Sequence, residues 1–172
     1  MNFKEKLSQI RAFVFDCDGV LTDGNFWVFE NGDMIRSFNA KDGYAIVRAI
    51  SKGYPVAIIT GGVGGSLTTR FSKLGIRDIY LGSQNKLPDL DDFRAKYDLK
   101  REEILFVGDD LPDMEPMQRV GLAVCPADAA LEIKEISHFV SEYPGGKGCV
   151  RDIIQQVLRV RGDWCGSSPN IQ

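Results

Sequence analysis

AFVFDCDGVLTDG, residues 12–24, decides how the rest of the chain is to be read. Four apolar residues, Ala12 to Phe15, run straight into Asp16, Cys17, Asp18 and Gly19. A turn accounts for Gly19 and one of the acids, because Asp and Gly are common turn formers. It does not account for two acids at the mouth of a strand with a buried composition, where each costs desolvation. Side chains two residues apart on a strand face the same way, so Asp16 and Asp18 are expected to converge. Two close carboxylates require a compensating cation or proton. Mg²⁺ suits them: it is hard, prefers oxygen, and takes one or two carboxylates together with phosphate oxygens and water.

The same pattern recurs further along. VGDDLPD, residues 107–113, is a second apolar run ending in acids, so Asp109 or Asp110 is expected to complete the cation's shell. Asp113 is expected to cap the helix that follows. IITGG, residues 58–62, places the hydroxyl of Thr60 before the amides of Gly61 and Gly62, a combination that cradles a phosphoryl group. Lys86, in GSQNKLPD, is a cation available to balance nucleophile and phosphate. A nucleophile, a divalent-cation site, a phosphate cradle and a balancing charge together make the inventory for phosphoryl transfer through an aspartyl intermediate.

These motifs sit in an alternating pattern. Strands are expected at 12–16, 54–60, 78–82, 103–110, 121–126 and 138–142. Helices are expected at 41–53, 63–75, 89–99, 113–120, 129–136 and 150–162. Alternation with continuous Val/Ile/Phe-rich strands predicts an α/β fold, a parallel sheet covered on both faces. In such sheets ligands lie beyond the carboxyl ends of the strands, where Asp16, Asp18, Thr60, Asp109 and Asp110 all fall. Residues 25–40 break the alternation. Two β-rich arms flank Asn31-Gly32, the preferred pair for a two-residue hairpin turn. The arms carry Phe26, Trp27, Val28 and Phe29 on one side and Met34, Ile35 and Phe38 on the other. A lone projecting hairpin with that surface is marginal by itself, so it is expected to pack against other subunits.

Composition excludes several classes. The 172 residues suit one domain, expected over 1–162 with a C-terminal tail at 163–172. At 44% hydrophobic and 26% charged, this is the composition of a globular protein. A net charge of −3 with no Lys/Arg run predicts no nucleic-acid partner. The absence of a bilayer-length apolar run, and of a signal-peptide core at the start, predicts a cytoplasmic protein with no membrane partner. Cys17, Cys125, Cys149 and Cys165 form no C-x-x-C pair and read as reduced thiols. Cys17 is a poor nucleophile beside two acids, which disfavour a thiolate. The one histidine, His138, is expected to be structural.

D-C-D-G-V-L-T-D, then I-I-T-G, then Lys86, then G-D-D-L-P-D resembles the four ordered motifs of the haloacid dehalogenase superfamily. The resemblance covers about residues 13–154 and implies a Rossmann-like three-layer sandwich. It implies that Asp16 is the nucleophile and Asp18 the general acid and then general base. Thr60 and Lys86 would hold the phosphoryl oxygens, and Asp16, the Asp18 main-chain carbonyl and Asp109 would hold Mg²⁺. The gaps between motifs leave no room for a cap domain. In this the chain is similar to the capless, tetrameric branch that hydrolyses 3-deoxy-D-manno-octulosonate 8-phosphate, a sugar acid phosphate. FNAKDGYAI resembles that branch's substrate-binding segment, implicating Asn39, Lys41, Asp42 and Gly43; Gly61 and Arg70 join them through the second motif and LTTRFSKLGI. PGGKGCVRDI resembles the branch's glycine-rich stretch before the last helix. The resemblance further implies a homotetramer built through the hairpin, with the tail entering a neighbouring site. The chain departs at Gly62 and Val47, where the branch commonly has arginine; Lys41, Arg70, or a neighbour's Lys147 or Arg151 are then the candidates for the substrate carboxylate. The alternatives are a nine-carbon 2-keto-3-deoxy acid 9-phosphate or another small phosphomonoester as substrate, and, in a different class, a phospho-accepting receiver module. Asp18 argues against the last, since a receiver needs no proton donor two residues beyond its acceptor.

Overall fold

The computed structural model of the protein describes residues 2–165, so most of the expected tail, 163–172, lies outside the described residues. The elements in chain order are α1 (Phe3–Gln9), β1 (Ala12–Phe15), β2 (Trp27–Val28), β3 (Met34–Ile35), α2 (Ala40–Ser51), β4 (Val56–Ile59), α3 (Gly65–Lys73), β5 (Asp78–Tyr80) and α4 (Lys86–Lys96). They continue with β6 (Ile104–Val107), α5 (Met114–Met117), β7 (Leu122–Cys125), α6 (Leu131–Ile136), β8 (Phe139–Val140) and α7 (Cys149–Val160).

Six strands form one sheet in the order β5-β4-β1-β6-β7-β8, every pair parallel. The apolar run that opens the chain's first motif is therefore the middle of the sheet, with β4 and β6 as its neighbours. Alternate residues of each strand serve opposite faces. Phe13 and Phe15 face one layer with Leu7, Ala45, Ile46, Phe71, Ile153 and Val157, drawn from α1, α2, α3 and α7. Ala12, Val14, Ala57, Ile59 and Phe106 face the other with Leu90, Phe93, Met117 and Ile133, from α4, α5 and α6. The result is the expected three-layer α/β sandwich. Burial of a phenylalanine side chain of this kind contributes about 1.5–3 kcal/mol. Nothing but the hairpin is inserted between β1 and α2.

Three local expectations need correction. Residues 3–9 form a helix where none is expected, with a capping box: the Asn2 side chain accepts from the Glu5 N–H while the Glu5 carboxylate accepts from the Asn2 N–H. Helix α4 begins at Lys86 rather than at residue 89, because the Asn85 side chain caps it through the Leu87 N–H. The hairpin closes through three residues rather than two. Trp27 pairs Ile35, Val28 pairs Met34, and the Phe29 N–H donates to the Asp33 carbonyl. A tight turn from Phe29 to Gly32 follows, with Gly32 alone at φ +87°. This is a turn with a glycine bulge, which asks for positive φ at one position only. Asn31 instead accepts the Asp33 N–H on its side chain. The arms project as expected: Trp27 is 74% exposed, and Val28, Phe29, Met34 and Ile35 are also exposed.

Candidate active site

β1, β4 and β6 lie side by side and end at the same edge, and each passes its next polar residue to one place. Asp16 follows β1, Thr60 follows β4, and Asp109 lies two residues beyond β6. They line one cavity of about 420 Å³ with Asp18, Gly61, Gly62, Ser83, Gln84, Lys86, Asp110 and Asp113. Asp16 and Thr60 are nearly buried. The Thr60 Oγ1 accepts the Gly62 N–H at 3.1 Å, which fixes the loop in which the glycine amides are presented.

Asp16, Asp109 and Asp113 bring one carboxylate oxygen each within 4.8 Å of one another. Lys86, from the first turn of α4, spans two of them. Its Nζ lies 2.8 Å from Asp16 Oδ1 and 2.7 Å from Asp113 Oδ1. Asp113 also accepts the Asp109 N–H at 3.1 Å. The expected helix cap at Asp113 is thus corrected: Asp110 caps the short 3₁₀ turn through the Leu111 N–H, and Asp113 is buried in the acid cluster. Burial pushes the Asp109 carboxyl up to about 8, aided by the charges of Asp16 and Asp113. Burial, then Asp16, raises Asp113 to about 6 against the pull of Lys86. Burial works against the Lys86 charge, but Asp16 and Asp113 outweigh it and hold the ammonium above the ordinary lysine range. Three desolvated carboxylates against one ammonium leave negative charge to compensate, and an all-oxygen donor set fits a hard divalent cation such as Mg²⁺.

Two glycines make the approach possible. Gly19 sits at φ +93°, and a Cβ there would overlap the Asp109 carboxylate. A Cβ on Gly108 would overlap Asp113. Neither glycine stands out in the sequence as more than turn material.

Asp18 departs from expectation. Its carboxylate does not join those of Asp16 and Asp109. It accepts Arg36 Nε–H at 2.8 Å and Nη2–H at 3.1 Å, from the hairpin base. Strand alternation stops governing the chain after Phe15: the Cys17 carbonyl accepts the N–H groups of Val20, Leu21 and Thr22 in a tight turn. Asp18 still lines the cavity. Cys17 is buried in the core, where burial and both acidic neighbours push its thiol up, away from a thiolate. His138 Nδ1 accepts the Ala123 N–H at 3.0 Å, a structural bond.

The expected substrate-binding segment builds a joint rather than a wall of this cavity. Asn39 caps α2 by accepting the Lys41 and Asp42 N–H groups. Asp42 is buried and accepts the Arg151 N–H at the start of α7. A Cβ on Gly43 would meet Arg70 Nη2 at 3.0 Å, and Arg70 lies over the Phe38 ring. Lys41 is exposed and lines a second, basic cavity of about 300 Å³ with Tyr143, Lys147, Arg151, Asp152 and Gln155.

Comparison with known proteins agrees with this geometry. The family model of haloacid dehalogenase-like hydrolases matches residues 59–151. The 3-deoxy-D-manno-octulosonate 8-phosphate phosphatase KdsC of Escherichia coli K12 is 38% identical over 157 residues, covering 91% of this chain and 84% of that protein. The crystal structure of the 3-deoxy-D-manno-octulosonate 8-phosphate phosphatase from Yersinia pestis superposes with a TM-score of 0.94 at 33% identity, over 97% of this chain and 90% of that one. The Moraxella catarrhalis phosphatase of the same name, in complex with magnesium, phosphate and KDO, gives 0.90 at 27% identity, over 94% and 92%.

Proposed function

This chain belongs to the haloacid dehalogenase-like hydrolases, and from that premise we propose that it is a Mg²⁺-dependent phosphatase hydrolysing 3-deoxy-D-manno-octulosonate 8-phosphate to the free sugar acid and phosphate. The observation that carries the reading is the convergence of Asp16, Thr60 and Asp109 from three adjacent strand ends, with Lys86 bridging Asp16 and Asp113. The substrate follows from relatives of that name, one of them complexed with magnesium, phosphate and KDO.

Asp16 attacks phosphorus, and the bond from phosphorus to the sugar oxygen breaks as that oxygen takes a proton from Asp18. Water then attacks the aspartyl phosphate, Asp18 takes its proton, and phosphate leaves Asp16 restored. Thr60, the Gly61 amide and Lys86 hold the phosphoryl oxygens throughout. Asp16, Asp109 and the Asp18 main-chain carbonyl would hold Mg²⁺, which would supply charge neutralisation at those oxygens. Asp113 positions Lys86 and the Asp109 backbone.

Residues 1–162 are read as one catalytic domain without a cap. Closure of the site then falls to the hairpin and to neighbouring protomers, with the tetramer built through the exposed hairpin arms. The basic cavity of Lys41, Lys147 and Arg151, together with Arg70, is the candidate for the carboxylate of a substrate held next door. Among the described residues no helix is long and apolar enough to cross a membrane.

A phosphate-release screen over the eight-carbon 8-phosphate and a nine-carbon 2-keto-3-deoxy acid 9-phosphate, with and without Mg²⁺, tests the function. Release from the eight-carbon ester is expected to exceed that from the nine-carbon one by about tenfold or more in kcat/KM, a pocket-contact difference of about 1.4 kcal/mol, and to vanish on chelation. Preference for the nine-carbon ester moves the substrate. Retained phosphate without turnover indicates a receiver. For the assembly, sedimentation at micromolar concentration is expected to show a tetramer; a monomer removes the hairpin from the interface.

A further inference from the structure

The base of the hairpin brings a guanidinium to Asp18. Trp27 pairs Ile35 and Val28 pairs Met34, so Phe26 and Arg36 flank the open end of the ladder. The Arg36 Cζ lies 4.8 Å from the Phe26 ring, and the Arg36 side chain is only 6% exposed although its hairpin projects into solvent. Its Nε–H donates to Asp18 Oδ1 at 2.8 Å and its Nη2–H to Oδ2 at 3.1 Å. This fork-to-carboxylate geometry fixes the carboxyl plane as well as its position. The two oxygens differ. Oδ1 lies 3.5 Å from the Thr22 hydroxyl as well. Oδ2 faces the loop after β4, 3.3 Å from where a Cβ on Gly62 would lie, and Arg36 Nη2 lies 3.1 Å from the same point. Gly62 thus leaves the space in which the pair sits, beside the loop that carries Thr60 and Gly61.

We propose that Arg36 is a positioning residue for proton transfer: the hairpin base grips both oxygens of Asp18 in one fork and turns its Oδ2 edge toward the phosphate loop, where the leaving oxygen must lie. The proposal rests on the phosphatase reading above. The step is the one already written: as the phosphorus–oxygen bond breaks, the proton passes from Asp18 to the departing sugar oxygen. Arg36 touches neither substrate nor metal and acts only through Asp18. An ion pair that merely seats the hairpin would use the same contacts, and the leaving group tells the two apart.

The test compares kcat/KM for an alkyl phosphate, whose leaving oxygen needs a proton, with that for p-nitrophenyl phosphate, whose leaving oxygen does not. This parameter covers the steps through formation of the aspartyl phosphate, so the later attack of water does not enter it. Arg36→Met is expected to lower the alkyl ester's kcat/KM by about 10²-fold, the scale of a general-acid contribution, and the nitrophenyl ester's by less than about threefold. Arg36→Lys keeps a charge but not the fork and should recover part of the alkyl rate. Gly62→Ala leaves Arg36 in place and presses on the pair with a Cβ; it should shift the two esters apart in the same direction, less strongly. If Arg36→Met does not fold, Gly62→Ala and Arg36→Lys carry the comparison. Equal losses on both esters, or no loss on the alkyl ester, overturn the proposal. A wild-type protein that releases phosphate from neither ester overturns the phosphatase reading itself, and the proposal with it.

Discussion

Asp16→Asn is expected to lower phosphate release from the sugar acid phosphate by at least about 10⁴-fold, the scale on which losing a covalent nucleophile is felt, while the protein stays folded. Asparagine has nearly the same shape, so the packing at the end of β1 survives. What goes is the carboxylate proposed to attack phosphorus. The charge change itself should be tolerated. The Asp16 charge works against ionised Asp109 and Asp113: it raises both carboxyls, and removing it relieves that repulsion. Lys86 keeps Asp113 at 2.7 Å. The lost Lys86–Asp16 ion pair opposes that relief, so metal-free Asp16→Asn should melt close to metal-free wild type. Phosphate release near the wild-type rate would exclude Asp16 as the nucleophile. Isotope-labelled phosphate trapped on wild-type protein after acid quench, and absent from the variant, would locate the covalent bond.

Lys86→Met should be costly in both stability and rate. The ammonium is buried, and it is the cation that bridges Asp16 and Asp113. Removing one partner of a buried ionic group typically costs about 3–5 kcal/mol, because the remaining charges stay buried without compensation. Turnover should fall by about 10²–10³-fold, the range for losing one preorganised donor to the reacting oxygens. The pH dependence has a definite sign. Asp109 and Asp113 have native carboxyl values raised above their unfolded ones, to about 8 and about 6. Between about pH 4 and pH 8 the native state therefore binds more protons than the unfolded one, and stability falls as pH rises through that window. Metal-free protein should melt lower at pH 8 than at pH 6. The deficit of Lys86→Met should be larger at pH 8, where protons replace the lost ammonium less readily than at pH 6. Mg²⁺ should raise the melting temperature more at pH 8 than at pH 6, since it binds the ionised acids. Calorimetry at the two pH values, with and without Mg²⁺, checks all of this; a Lys86→Met deficit that does not change with pH would separate the lysine from the acid cluster.

The sheet was legible because its strands are short, continuous apolar runs whose ends carry the polar residues. Asp16, Thr60 and Asp109 were legible for the same reason: each stands just past the end of a plain apolar strand, whereas Lys86 was singled out only in concert with them. The structure departs where tertiary contacts override local pattern. Helix α1 is seven residues long and buries only Leu7, too little periodicity to register; its signal was the Asn2–Glu5 box. The start of α4 was hidden because a lysine in a first turn opposes the helix dipole, and only Asp16 and Asp113 make it acceptable there. Asp113 read as a cap because an Asp before a helix ordinarily is one. Arg36 gave no signal at all, being one of three charged residues on the hairpin segment 25–40, with a partner eighteen positions away. The FNAKDG segment, matched to a substrate site by resemblance, also ties α2 to α7 through Asn39 and Asp42, contacts that its local pattern does not show.

The reactive groups all hang from the carboxyl rim of the sheet, while the capped α1 lies against α7, and the Lys6 ammonium reaches the Gly121 carbonyl just ahead of β7 at the opposite rim. Part of the fold's durability is therefore written far from its reactive groups. An engineer seeking a hardier catalyst can work on the amino-terminal rim without retuning turnover, whereas one seeking a new substrate must rebuild the loops beyond the strands around the Lys86 bridge that helps to hold them.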